Sequence, residues 1–432
     1  MDSIWTKTAE RPKFKSMDGD INTDVLIIGG GIAGVLCAYM LTNAGVSCVL
    51  AEADRICGGI TENTTAKITF QHGLIYDKMI RRYGHHAAKA YLNAQKEAMR
   101  KYRDMCAKID CDYAERPSYV YSLCGRDKLE KEVNALNKLG CNAVFTESTE
   151  LPFSVSGAVR VEAQAQFHPL KFLFGISKEL PIFENAKITE LRPDGAITDR
   201  GKIKAEKIIV ATHFPFINKH GSYFLKMYQH RSYVIALENA RNIEGMYVDE
   251  CDKGISLREY NGLLLLGGGG HRTGKKGGNW KELSDLAQRY YPKANEVARW
   301  ATQDCITLDG IPYIGLYSKR TPDMYVATGF NKWGMTSSMV AATVLCDLVL
   351  GKENEYASVF SPSRSILHPQ LAVNVAESVL GLVIPTVPRC PHLGCALKYN
   401  PQEHSWDCSC HGSRFTEDGK LIDNPATGDK KM

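Results

Sequence analysis

The sequence predicts an α/β protein built on a parallel sheet, with an antiparallel substrate domain inserted into it and a small all-β unit at the C-terminus. Three observations carry this prediction. Residues 23–29, 32–43 and 47–52 read as buried strand, helix and strand around a glycine-rich turn, and such β-α-β units build parallel sheets. Residues 227–238 and 256–266 are longer strand-type runs, as an antiparallel sheet requires. Four cysteines crowd into residues 390–411 alongside His392 and His411, whereas the other ten of fourteen cysteines are scattered between 37 and 346 as small apolar residues.

Length and composition agree with a large globular chain. At 432 residues and 44% hydrophobic it can bury a sizeable core in two or three units. Lys plus Arg number 53 against 48 Asp plus Glu, too small and dispersed an excess to imply nucleic acid. No apolar run reaches the roughly 18 residues that a membrane span needs. The start, Met1-Asp2-Ser3-Ile4-Trp5, lacks the basic and apolar regions of a leader, so a cytoplasmic location is expected.

Along the chain, 1–19 is an N-terminal extension and 20–360 a first large domain. Its nucleotide-binding parts cover about 20–85, 155–220 and 300–355, with helical and substrate-domain insertions at about 86–154 and 221–299. Helices are predicted over 73–83, 85–109, 126–139, 168–179 and 334–350, and strands over 186–191, 207–211 and 324–328. Residues 361–382 have linker composition, and 383–432 form the short C-terminal domain.

Gly29-Gly30-Gly31-Ile32-Ala33-Gly34 fits G-x-G-x-x-G where strand meets helix, the place a Rossmann-like dinucleotide site requires. Gly29 permits the turn, Gly31 lets amides approach a pyrophosphate, and Gly34 lets the helix pack closely. Glu52, ending the next strand, is placed to accept from ribose hydroxyls. Gly267-Gly268-Gly269-Gly270 is the one candidate for a second nucleotide motif, but Arg272 stands where the third glycine belongs, so it reads as a turn between strands. The basic run His271, Arg272, Lys275 and Lys276 reads as solvated loop.

Asp309-Gly310-Ile311-Pro312-Tyr313-Ile314-Gly315 and Ala327-Thr328-Gly329-Phe330-Asn331-Lys332-Trp333-Gly334-Met335-Thr336 follow, before a long helix. With the first motif, in this order, they resemble the D-amino acid oxidase, glycine oxidase and sarcosine oxidase family of flavoproteins from about residue 20 to 360. The resemblance implies FAD, with Gly329, Gly334, Met335 and Thr336 beside the flavin ring. The loop 57–67 is similar to the family's second flavin loop, which implies Gly59 and Thr61 near the pyrophosphate and Thr65, Ala66 and Lys67 near the ring. Gln166-Phe167-His168-Pro169 resembles the stretch before the adenine-binding strand, where Ile188 would meet the adenine. His213 stands where the family commonly has glycine, and no chemical role is expected of it.

Cys390-Pro391-His392 and Cys408-Ser409-Cys410-His411, separated by fifteen residues from 393 to 407, offer two thiolates to one iron and two imidazoles to another. Zinc also accepts two cysteines and two histidines, but its small domains favour C-x-x-C pairs. The segment, about 383–426, closely resembles Rieske domains. That resemblance implies a [2Fe-2S] cluster on Cys390, His392, Cys408 and His411, and a disulfide between Cys395 and Cys410. Ser413 matches a position whose hydroxyl bonds a bridging sulfide, while Phe415 replaces a tyrosine of high-potential members, which implies a lower potential.

A flavin takes two electrons together and a Rieske centre carries one, so the pair reads as a two-to-one converter. The expectation is an FAD-dependent oxidoreductase acting on a small molecule, an amine or amino acid by analogy with the resembled family. Lys67, Gln71 and His72 are the candidate polar lining of the catalytic site. Two alternatives stand beside it: an electron-transfer protein exchanging electrons with a partner protein, and a redox or iron sensor without turnover.

Overall fold

The computed structural model describes residues 2–217, 220–251, 254–277, 279–385 and 388–430. Its centre is an eight-stranded sheet. Ile21–Ile28 pairs in parallel with Cys48–Ala51 on one side and Lys202–Val210 on the other, and Lys202–Val210 pairs in parallel with Thr321–Thr328. The last four residues of Ile21–Ile28 are all buried, which is why this segment carries consecutive rather than alternating apolar side chains. Helix Ile32–Asn43 packs between this sheet and helix Gly334–Val349, and both are buried on most faces.

The second sheet has nine strands and forms the roof over the first domain's cavity. Its long antiparallel core is Leu263–Arg272, Met227–Glu238 and Asn295–Thr307. Two further strands, Ala114–Ser122 and Gly157–Gln166, extend it from stretches where only helices had been expected or no element at all. The four glycines 267–270 do not form a turn: they lie inside Leu263–Arg272, where neighbours pack close, a Cβ on Gly267 coming 2.8 Å from Ser256 Oγ and one on Gly268 2.9 Å from Ile255 Cγ2.

The helices expected at 73–83 and 85–109 are both present within Tyr76–Cys106, parted where Gly84 leaves the helical region at φ 81° and ψ 169°. The N-terminal extension is anchored: Trp5 is fully buried and its indole N–H donates to the Thr64 carbonyl at 2.7 Å, tying residues 4–8 to the second flavin-type loop. The stretch read as linker carries the helix Pro369–Val383, which starts at a proline and buries Asn374 and Gly381. The C-terminal segment forms a four-stranded antiparallel sheet, Leu397–Asn400, Ser405–Cys408, Arg414–Thr416 and Leu421–Asp423. Among the described residues no helix is long and apolar enough to cross a membrane.

Candidate functional site

A cavity of about 800 Å³ runs from the glycine turn after Ile21–Ile28 to the C-terminal domain. Gly29, Gly31 and Glu52 line one end, with Gly59, Thr61, Thr65 and Ile188 around them. A Cβ on Gly29 would come 2.8 Å from the Ala211 carbonyl oxygen, and one on Gly34 would come 1.9 Å from that of Gly29. Both positions are closed to a side chain by backbone. Gly31 differs: a Cβ there meets nothing nearer than Thr61 Oγ1 at 3.5 Å, so the space this glycine keeps clear is cavity. It lies at the N-terminus of Ile32–Asn43, which makes the cradle a fit for pyrophosphate.

Thr61 Oγ1 accepts from the Ile32 amide at 3.1 Å, holding the second loop against the first. Glu52 accepts from the amides of Gly30 at 2.6 Å and Asp54 at 2.9 Å; burial nonetheless raises its carboxyl above the ordinary value. At the other end Gly334 and Met335 reach the cavity. Gly34, Ala66, Gly329 and Thr336 stand behind the lining. Ala66 gives its carbonyl to Arg258 Nη1 at 2.7 Å, and Thr336 Oγ1 donates to the Thr69 carbonyl at 3.1 Å.

The three candidate catalytic residues occupy different surroundings. Lys67 lines the cavity and donates to Thr65 Oγ1 at 3.1 Å; burial, then the Arg258 charge, lowers its pKa to about 7. His72 also lines the cavity but is buried, 2.7 Å from the Tyr91 hydroxyl and 2.9 Å from the Thr69 carbonyl, and stacked on Trp333. Burial lowers its pKa to about 3, so it is neutral. Gln71 is spent on structure: its amide N–H donates to the Val159 carbonyl at 2.8 Å and its oxygen accepts from Ser118.

The structure adds residues that the motif reading did not single out. Tyr228, His230 and Ser232 alternate along one face of Met227–Glu238 and line the cavity with Asp304 and Lys332. The period-2 spacing of the polar residues 228, 230 and 232 is the signal that could have found them. Lys332 has no such signal. It sits in a left-handed turn, with Asn331 at φ 52° and Lys332 at φ 70°. Asn331 holds that turn by accepting from the Thr307 amide at 2.8 Å and donating to the Gly329 carbonyl at 2.6 Å. Two successive non-glycine residues in this region are costly, and such turns concentrate at functional sites.

In the C-terminal domain the sulfurs of Cys395, Cys408 and Cys410 lie within 4.8 Å of one another, and the Cys390 thiol approaches that of Cys408. The imidazoles of His392 and His411 stand 4.9 Å apart at 87°. His411 is 1% exposed, yet neither of its ring nitrogens has a hydrogen-bond partner. Buried imidazole nitrogens without partners, beside crowded thiols, fit a two-iron site with mixed sulfur and nitrogen donors. Ser413 Oγ, fully buried, accepts from the Ala426 amide at 3.0 Å and so ties the cluster loop to the covering loop. The expected Cys395–Cys410 disulfide is not formed: both are free thiols, and Cys410 Sγ instead donates to the Glu377 carbonyl of helix Pro369–Val383 at 3.5 Å.

The cluster loops dock on the roof strands. Gln229 Nε2 donates to the carbonyls of His411 at 2.9 Å and Asn424 at 2.7 Å, and Gln303 Nε2 to that of Gly412 at 2.9 Å. Of the basic run read as solvated loop, Arg272 and Lys275 are part of this interface, while Lys276 is exposed as expected. Arg272 donates to the Ser409 and Cys410 carbonyls at 3.1 Å each, because these loop carbonyls need donors on burial, and Lys275 pairs with the Glu377 carboxylate of helix Pro369–Val383 at 2.7 Å. Asn424 Nδ2 reaches the carbonyls of Thr212 at 2.6 Å and Phe214 at 3.0 Å, on either side of His213. Asp423, Asn424 and Ala426 thereby complete the wall of the same cavity that begins at Gly29.

Comparison with known proteins agrees with both halves. Residues 24–348 match the family model "FAD dependent oxidoreductase", and 361–431 match "Rieske [2Fe-2S] domain". A Bacillus subtilis (strain 168) protein described as a Rieske 2Fe-2S iron-sulfur protein, YhfW, is 34% identical over 98% of this chain and 96% of its own length. Gamma-glutamylputrescine oxidoreductase of Escherichia coli (strain K12) is 23% identical over 79% of this chain and 87% of its own. In fold, glycine oxidase from Geobacillus kaustophilus superposes with a TM-score of 0.69 at 18% identity, covering 80% of this chain and all of that one. The chain therefore belongs to the D-amino acid oxidase-like FAD-dependent oxidoreductases, and carries a Rieske [2Fe-2S] domain behind that catalytic fold.

Proposed function

We propose that this oxidoreductase removes a hydride from the carbon next to a nitrogen in a small amine or amino acid, and that the electrons leave through the Rieske domain. When bound, FAD supplies a two-electron acceptor and the [2Fe-2S] cluster a one-electron acceptor. Gly29, Gly31, Thr61 and Glu52 would hold the dinucleotide, Gly334 and Met335 the ring, and Cys390, His392, Cys408 and His411 the irons. Lys67 and the Tyr228-His230-Ser232 face bound the space left for substrate, and the covering loop around Asn424 excludes water from it.

One observation carries the electron route. Neighbouring residues of the same two strands serve both centres: Gln229 and Gln303 bond the cluster loop, while His230 and Asp304 line the cavity. On this reading the thickness of one sheet would separate the two sites. Relatives named for γ-glutamylputrescine and for glycine support a nitrogen-bearing substrate.

The test is anaerobic mixing of the holoprotein with a panel of amines and amino acids, following flavin absorbance and the cluster's EPR signal together. Bleaching of the flavin followed by appearance of the reduced cluster is expected. Bleaching with a cluster that stays oxidised overturns the electron route, and a flavin that no panel member reduces overturns the substrate class.

A further inference from the structure

An acid and an imidazole face each other across the roof of the cavity. His230 and Asp304 are direct partners in the register of Met227–Glu238 and Asn295–Thr307, and both line the cavity. His230 is 7% exposed, and its Nδ1 has no hydrogen-bond partner. Burial lowers its pKa to about 3, so it is neutral at ordinary pH. Burial also acts on Asp304 more strongly than the opposing charges of Lys332 and Arg231, and raises its carboxyl to about 6. The cations already in place therefore leave this carboxylate under-compensated.

The nearby guanidinium is not available to complete the compensation. Arg231 is committed to Glu403 of the Rieske domain through Nε at 2.9 Å and through a second, Nη2 contact. Lys332 lends its charge to the same space from the left-handed turn, yet the Asp304 carboxyl stays raised. Gly268 and Gly270 of Leu263–Arg272 line the same cavity, and so offer no side-chain donor or acceptor to an occupant. A half-buried carboxylate in a cavity wall that lacks a full counter-charge, next to an unpartnered imidazole nitrogen, is a receptor for a cationic N–H donor.

We propose that Asp304, with His230 beside it, receives a protonated amino group of the substrate, and that the substrate class is a cationic alkylamine rather than a carboxylate-anchored acid. The carboxylate supplies the counter-charge and the neutral imidazole accepts a second N–H. This rests on the reading that the cavity holds the substrate to be oxidised.

The experiment is titration of the FAD-loaded protein with 1,4-diaminobutane, butylamine and butanoate, read by perturbation of the flavin spectrum and by calorimetry. Both amines should bind more tightly than butanoate. Asp304→Asn should weaken amine binding by about tenfold or more, as loss of a charge-assisted hydrogen bond does, and leave butanoate unaffected. Asp304→Glu should restore part of the loss, and His230→Gln should cost a few-fold. Equal amine affinity in the wild type and Asp304→Asn, or tighter binding of butanoate than of the amines, overturns the receptor. Asp304-dependent binding of amines that never reduce the flavin would instead overturn the oxidation reading and leave the receptor standing.

Discussion

The side-chain amide of Gln229 donates at 2.9 Å to the backbone carbonyl of His411, and the next residue in the strand, His230, opens onto the flavin-side cavity. The loop of a cluster ligand candidate and the wall of the cavity are thus served by adjacent positions of one strand. The same Gln229 nitrogen also bonds the Asn424 carbonyl, and its oxygen accepts from Gln303 at 2.6 Å.

Gln229→Leu should therefore uncouple the two centres. It leaves two buried carbonyls without their donor, at about 1–3 kcal/mol each, and loosens the docking of the cluster loop. Anaerobic stopped-flow absorbance should show substrate reducing the flavin at the wild-type rate, while the cluster reduces roughly ten times more slowly. If both phases keep their rates, the Gln229 contact is ornamental to electron transfer.

The two glycines of the first motif should fail in different ways. Ala at position 34 puts a methyl 1.9 Å from the Gly29 carbonyl, so strand and helix must separate and the domain should lose several degrees of melting temperature along with its flavin. Ala at position 31 meets only cavity, and should leave the fold intact while weakening FAD about tenfold or more by intruding on the pyrophosphate. Thermal unfolding of the two apoproteins, beside FAD titration of each, separates the cases. A Gly31→Ala protein that melts as low as Gly34→Ala would contradict the assignment.

A buried ionic network fixes the Rieske domain to the roof. Arg414 bonds Asp407, Asp423 and Glu403, and Glu403 also holds Arg231 across the interface. Although burial pushes the Glu403 carboxyl up, Arg231 and Arg414 hold it down to about 2 from an ordinary 4.5. A carboxyl whose folded pKa is depressed stabilises fully above its unfolded value and loses that contribution as pH falls toward the folded one. The wild-type melting temperature should therefore fall between about pH 4.5 and 2. Glu403→Gln should be less stable by about 3–5 kcal/mol at neutral pH, since it strands buried guanidiniums, and its acid dependence should be shallower.

Local features of this molecule are legible in its sequence, and features made by register are not. The glycine turn is a run of consecutive residues whose spacing states its own geometry, and the Cys390-His392 and Cys408-His411 pairs bring their donors together with little help from the rest of the chain. Gln229 and Gln303, by contrast, are 74 residues apart and meet only because two strands pair in one register. The same register makes His230 and Asp304 a pair. Arg272 and Lys275 mislead for a related reason: a basic run looks solvated until the buried carbonyls of Ser409 and Cys410 are placed against it. The free thiols of Cys395 and Cys410 show the converse, where a resemblance implied a bond that the packing against helix Pro369–Val383 does not make.

Lys67 should set a pH dependence at the flavin end of the cavity. Burial, followed by repulsion from Arg258, lowers its pKa to about 7, so it is charged in mildly acid solution and neutral above. A charged Lys67 repels a cationic substrate, and amine-driven flavin reduction should rise as pH passes upward through about 7. Lys67→Met should lose that rise while keeping the one near pH 6 from ionisation of the Asp304 receptor and any later one due to the amine itself. Arg258→Met, which removes the repelling charge, favours the protonated lysine and should move the inflection upward. The measurement is the anaerobic rate of flavin bleaching from pH 5.5 to 9 in the three proteins, and an unshifted profile in Lys67→Met would assign the titration to another group.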